Sequence, residues 1–85
     1  DVIHPNDRIK FLAKNIVKET NAKDKDALHL ASAIVGECDY FISCDDKFLK
    51  TIDKYRFHLK DLTGNIKLYN PIDFLRREMD IDVIE

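Results

Sequence analysis

Tyr40-Phe41-Ile42-Ser43, followed by Cys44 and then Asp45-Asp46-Lys47-Phe48-Leu49, is the stretch that decides the fold. Its first half is short, aromatic and β-branched, the composition of a strand. Its second half begins a short helix, with Ser43 or Asp45 as the cap. A capping-box geometry with Ser43 would account for Asp46. Downstream, Thr63-Gly64-Asn65 signals a turn, and Ile66-Lys67-Leu68-Tyr69 reads as a second strand. Asn70-Pro71 then opens a helix, with Asn70 as cap and Pro71 at the first helical position. Ile72, Phe74 and Leu75 supply its apolar side.

Upstream lie two helices. Pro5-Asn6-Asp7 starts the first, in which Ile9, Leu12, Ala13, Ile16 and Val17 recur at helical spacing and Lys10, Lys14 and Lys18 fall on the other side. It ends near Thr20–Asn21. The second is capped by Asn21 or Asp24 and ended by Gly36. Its apolar residues, Ala27, Leu28, Leu30, Ala31, Ala33, Ile34 and Val35, cover nearly the whole circumference, so burial on most sides is expected. The tail from Ile81 to Glu85 fits a strand or a disordered end. The order is helix, helix, strand, helix, strand, helix. Strands separated by helices imply an α/β fold with a small parallel sheet. Two strands are few for such a sheet, which takes helices on both faces, and 85 residues offer little to bury the second helix against. The chain is therefore expected to be part of a larger fold, and its opening at Asp1 rather than Met suits that reading.

Composition narrows the class. A hydrophobic fraction of 45% and a charged fraction of 35% suit a globular chain, although a domain of this size buries only roughly 60% of its unfolded surface. No apolar run approaches the ~20 residues of a membrane span, and the start carries no signal-peptide pattern. The net charge of −2 gives no global pull toward nucleic acid, so such a partner rests on local patches. Cys38 and Cys44 have neither zinc spacing nor a disulfide framework. They read as reduced, buried, inert thiols, which suits the cytoplasm.

The carboxylates carry the chemistry. In parallel α/β sheets ligands sit beyond the carboxyl ends of the strands, where Asp45 and Asp46 lie. Asp26 falls in the first turn of the second helix, where the helix dipole favours a negative charge. If that helix starts at the same sheet edge, Asp26 and Asp45 converge, and converging carboxylates suit Mg²⁺. Such a site activates water and polarises a phosphodiester. Helix capping accounts for each residue taken singly. His29 sits three residues after Asp26, on nearly the same face; it is a possible RNA contact, with packing at the helix edge the plainer role. Lys54, Arg56, His58 and Lys60 alternate with Tyr55, Phe57 and Leu59. In an extended segment this gives one basic and one apolar face. The basic face could hold phosphates through Arg56 and Lys60 and the aromatics could stack on bases, while a half-buried strand or loop accounts for the same pattern. His4, His58, Asp39 and Asp53 read as surface or structural residues.

These residues together resemble a family. Asp26-Ala27-Leu28-His29-Leu30-Ala31-Ser32-Ala33 is similar to the D-A-x-H-x-A-x-A helix of PIN domains. Cys38-Asp39-Tyr40-Phe41-Ile42-Ser43-Cys44-Asp45-Asp46-Lys47-Phe48 is similar to the segment that follows it, and Ile66 to Leu75 to the closing strand and N-P-x-x-F-L helix. The resemblance implies a central parallel sheet and a Mg²⁺- or Mn²⁺-dependent ribonuclease, often the VapC-like toxin of a toxin–antitoxin pair, dimeric and inhibited by an antitoxin protein. It matches Asp26 and Asp45 to the third and fourth acids of the site, as catalytic and metal-holding residues, and Ser43 to the residue that supports it. The first two acids have no counterpart: Glu19 stands too close to Asp26, and Asp1 and Asp7 follow no strand. The expectation is the C-terminal portion of one PIN-like domain over residues 1–85, its N-terminal half missing, inactive or nearly so by itself because such constellations act as a unit. A non-catalytic interaction or dimerisation module is the second expectation, since an uncovered apolar face drives association. An unrelated phosphate-binding unit ranks last for want of a glycine-rich loop.

Overall fold

The computed structural model describes residues 5–82. Five helices and two strands follow in order among them: α1 (Pro5–Thr20), α2 (Asp24–Val35), β1 (Tyr40–Ile42), α3 (Asp46–Lys54), α4 (Arg56–Thr63), β2 (Lys67–Tyr69) and α5 (Pro71–Arg77). The two strands pair in parallel, with Tyr40 opposite Lys67, Phe41 opposite Leu68 and Ile42 opposite Tyr69. The fold is therefore α/β, mostly helical around a small parallel sheet.

The core forms where four helices meet the inner face of the sheet. Leu12, Ala13 and Ile16 of α1 pack with Ala27, Leu30 and Ala31 of α2, Phe48 and Ile52 of α3, and Leu59 of α4. Phe41 and Leu68 cover this cluster from the sheet, and the Phe41 ring meets Phe48 edge-on at 6.1 Å. Because side chains alternate along a strand, Tyr40, Ile42, Lys67 and Tyr69 lie on the opposite face. There α5 packs on the two tyrosines, with Phe74 meeting the Tyr40 ring edge-on at 5.1 Å and lying 6.2 Å from the Tyr69 ring.

α1 begins and ends as the sequence predicts, α5 begins as predicted, and Asn70 accepts from the Asp73 amide at 2.8 Å to cap α5. Four expectations are corrected. First, α2 starts at Lys23 without a side-chain cap. Asn21 is instead consumed in the tight turn between helices, at φ 58°, and Asp24 is already helical. Gly36 ends α2, but the left-handed residue is Glu37 (φ 57°). Second, α2 is fully buried only at Ala27, Leu30 and Ala31, while Leu28 is 41% exposed. Third, both cysteines are exposed. Cys38 follows the turn after α2 and Cys44 the end of β1, so neither belongs to a packed element.

The fourth correction concerns Lys54–Lys60, which is helical rather than extended. The alternation of charge was the weaker signal. Tyr55, Leu59 and Leu62 recur at helical spacing and pack on the core, with Leu59 fully buried. The intervening Phe57 is left outside. Gly64 then turns the chain into β2 at φ 62° and ψ −131°, a conformation essentially confined to glycine. Ile81 and Asp82 join neither a helix nor a strand, and residues 83–85 of the predicted tail lie outside the described ones.

Candidate functional site

α1 and α2 are joined by a turn so short that the end of one meets the start of the other. The Thr20 hydroxyl donates to the Ile16 carbonyl at 2.7 Å and accepts from the Ala22 amide at 3.2 Å. This fixes the turn into α2, whose first turn, carrying Asp24 and Asp26, lies beside the start of α3. A cleft of about 150 Å³ lies between them, lined by both Asp26 and Asp45. Two acids read from separate sequence elements thus share one concavity, beyond the carboxyl end of β1.

Asp45 is held from two sides. Its amide donates to the Ser43 hydroxyl at 3.1 Å, and its Oδ1 accepts from the Phe48 amide at 3.0 Å. Ser43 is thus hydrogen-bonded to Asp45, but it does not line the cleft itself. Asp45 is the N-cap of α3, so the expected capping box between Ser43 and Asp46 does not form. Its carboxylate keeps Oδ2 for another partner. Asp26 is half-buried and makes no side-chain hydrogen bond or ion pair among the described residues. Lys23 and Lys47 stand on the rim, with Thr20 and Thr51 adding hydroxyls.

The donor set is all hard oxygen, which fits Mg²⁺ or Mn²⁺ and not a soft metal. No group of three or more His, Cys, Asp or Glu side chains suited to a metal occurs among the described residues. Two carboxylates fit an ion that keeps most of its water and takes its remaining ligands from a substrate phosphate. They do not form a closed cage.

Asp46 faces elsewhere. Its Oδ1 accepts from the Asn70 side chain at 3.4 Å, and it lines a separate cleft with Asp53, Asp73, Lys50 and Arg56. His29 is exposed and does not line the cleft of Asp26 and Asp45. Arg56 and Lys60 lie on α4, in a third groove, with Lys67 of β2.

One cluster was missed in the sequence. Glu78, just after α5, accepts from the Tyr40 hydroxyl through Oε1 at 2.8 Å and from the Tyr69 hydroxyl through Oε2 at 2.6 Å. Lys67 stands 3.7 Å away. The hydroxyls of Tyr69 and then Tyr40 hold the Glu78 carboxyl below the usual carboxylate range, with Lys67 adding to the effect. The same hydrogen bonds push both tyrosines above their ordinary value. The available signal was weak: both tyrosines sit at strand positions on the face away from the core. No protein-family model, curated protein or solved structure matches the chain.

Proposed function

We propose that this chain is the C-terminal portion of a PIN-like, Mg²⁺- or Mn²⁺-dependent endoribonuclease of the VapC-like toxin type, acting in the cytoplasm and countered by an antitoxin protein. The observation that carries the reading is the single cleft shared by Asp26 and Asp45 at the carboxyl edge of a parallel sheet. A divalent ion held there would polarise a phosphodiester and supply an activated water. The protein's own part is positional. Ser43 and the α3 amide end fix Asp45, and the α1–α2 turn fixes Asp26. Lys23 and Lys47 place positive charge where a phosphate would approach.

The reading includes two further acids, brought by a segment that completes the sheet. β1 has room for one. Asp39 accepts from Lys67 and Ser43 donates to Tyr69 across the ladder, so the amides and carbonyls of Tyr40 and Ile42 point to the other edge. Among the described residues the sheet has no third strand on that side.

The test is RNA hydrolysis with Mg²⁺ or Mn²⁺ by the purified chain. Near-background cleavage is expected, because two acids of a unit are a poor remnant of it. Robust cleavage abolished by Asp26→Asn would keep the nuclease and sink the incomplete site.

The open β1 edge favours one other reading, a non-catalytic module that pairs with another chain or a second copy. Ile42 of β1, 44% exposed, adds apolar surface to it. A monodisperse monomer at high concentration by light scattering would count against self-association.

A further inference from the structure

Apart from the carboxylate cleft, the described residues form a positively charged groove. That groove runs along α4 and holds about 680 Å³, within the range of small-ligand sites. Its walls carry three cations, Arg56, Lys60 and Lys67, and no carboxylate. In a chain of net charge −2 this is a local concentration of charge, and local charge is what attracts a polyanion. The adjoining cleft, by contrast, is lined by Asp46, Asp53 and Asp73.

The cations are available. Lys60 has no ion pair among the described residues. Arg56 meets Asp53 only at 3.8 Å, with side chains 63% and 76% exposed, a pair worth little in water. Lys67 is the third partner of a Glu78 whose two oxygens already accept from tyrosines. A phosphate offers each cation a charge-assisted bond, and offers Arg56 a two-pronged one.

An aromatic completes the surface. Phe57 is 87% exposed, on the side of α4 away from the core, and it lines the same groove. Its ring stands 6.1 Å from that of His58 at 85°, and at 87% exposure most of it faces solvent. Cations along a groove with an open aromatic face are what a single strand requires: phosphates on the charges and a base on the ring. Arg56 stands at the start of α4 and Gly64 just past its end, so the groove is about 12 Å long at 1.5 Å per residue. That is a track for a short stretch of chain, not a pocket for one ion.

We infer that the α4 groove binds single-stranded nucleic acid, with Arg56, Lys60 and Lys67 on the phosphates and Phe57 stacked on a base. The inference deepens the ribonuclease reading by naming where its substrate is held, yet it requires no divalent ion. Stacking on Phe57 and charge on the phosphates are both sequence-tolerant modes of binding.

The experiment is fluorescence anisotropy of a labelled oligouridylate with the full chain in EDTA. Saturable binding is expected, with a logarithmic salt slope of about −2 for three cations. Phe57→Ala and Lys60→Glu, both at exposed positions, should each weaken it about tenfold while leaving the circular-dichroism spectrum intact. No saturable binding at low salt would overturn the inference, as would full affinity in both variants. Loss of binding in Asp26→Asn or Asp45→Asn but not in Phe57→Ala would also overturn it, by assigning the strand to the carboxylate cleft. So would self-association of the chain that Phe57→Ala abolishes without changing affinity for the oligonucleotide. Failure here leaves the metal site untouched, because that site is read by divalent-ion binding.

Discussion

Asp45 caps α3 and is proposed to hold a metal ion, and substitution can separate the two. Its Oδ1 caps α3 through the Phe48 amide at 3.0 Å, and its charge stands at the positive end of that helix. Phe48 and Ile52 of α3 are core residues, 4% and 2% exposed, so fraying this helix start is felt in the core. Alanine removes the acceptor and the charge, which costs about 1 kcal/mol for the cap plus roughly 0.3–1 kcal/mol for the helix dipole. Asparagine keeps the acceptor and loses only the charge, so it should cost only the dipole contribution, and at this exposed helix start about 0.3 kcal/mol, the low end of that range. For a domain of this size 1 kcal/mol is about 4–8 °C in Tm. Asp45→Ala should therefore melt several degrees lower, and Asp45→Asn within about 3 °C of the parent. Thermal melts by far-ultraviolet circular dichroism, run in EDTA, measure both. The same melts in millimolar Mn²⁺ should show a rise for the parent and none for Asp45→Asn. Equal destabilisation by alanine and asparagine would refute the capping geometry. An unchanged Mn²⁺ response in Asp45→Asn would refute the metal role.

Two further outcomes follow from the packing. Leu59 is fully buried at the centre of the core, so Leu59→Ala should destabilise by about 2–5 kcal/mol in urea denaturation; a loss below 1 kcal/mol would mean that α4 is not docked as described. The Glu78 carboxyl is depressed by Tyr69, Tyr40 and Lys67. A depressed acid contributes stability above its unfolded value of about 4.5, and that contribution is lost as pH falls below it. The stability advantage of the parent over Glu78→Gln should thus be constant near neutral pH and shrink on acidification through that window. An advantage that is flat or grows toward acid would remove Glu78 as the clasp of α5.

Much of the fold was legible because its signals were local. The periodicity of Ile9 to Val17, the Asn70-Pro71 start and the β-branched strands each specify their own element, and the alternation of strands and helices then specifies a parallel pair. That Asp26 and Asp45 share one cleft was readable because strand ends and helix starts meet at one edge of such sheets. The errors arose where tertiary packing outweighed a local pattern. In Lys54–Lys60 the strict alternation of charge suggested an extended segment, but Tyr55, Leu59 and Leu62 gain burial only as a helical stripe. Cys38 and Cys44 sit beside apolar residues in sequence, yet the chain turns at both places and leaves them outside. The Glu78 clasp joins residues from three elements across 38 positions, and no spacing rule connects them. The α4 groove was half visible. Arg56 and Lys60 were read, but Lys67 joins them only once β2 lies beside α4.

The central claim is that Asp26 and Asp45 hold one divalent ion. Mn²⁺ broadens the nuclear magnetic resonances of groups close to it, so a titration of the isotope-labelled chain locates the ion directly. The amides of Asp26, Asp45 and their cleft neighbours Lys23 and Lys47 should broaden first, and Asp26→Asn or Asp45→Asn should each abolish that local effect. Broadening that instead begins around Asp46, Asp53 and Asp73, or that persists in both variants, would contradict it.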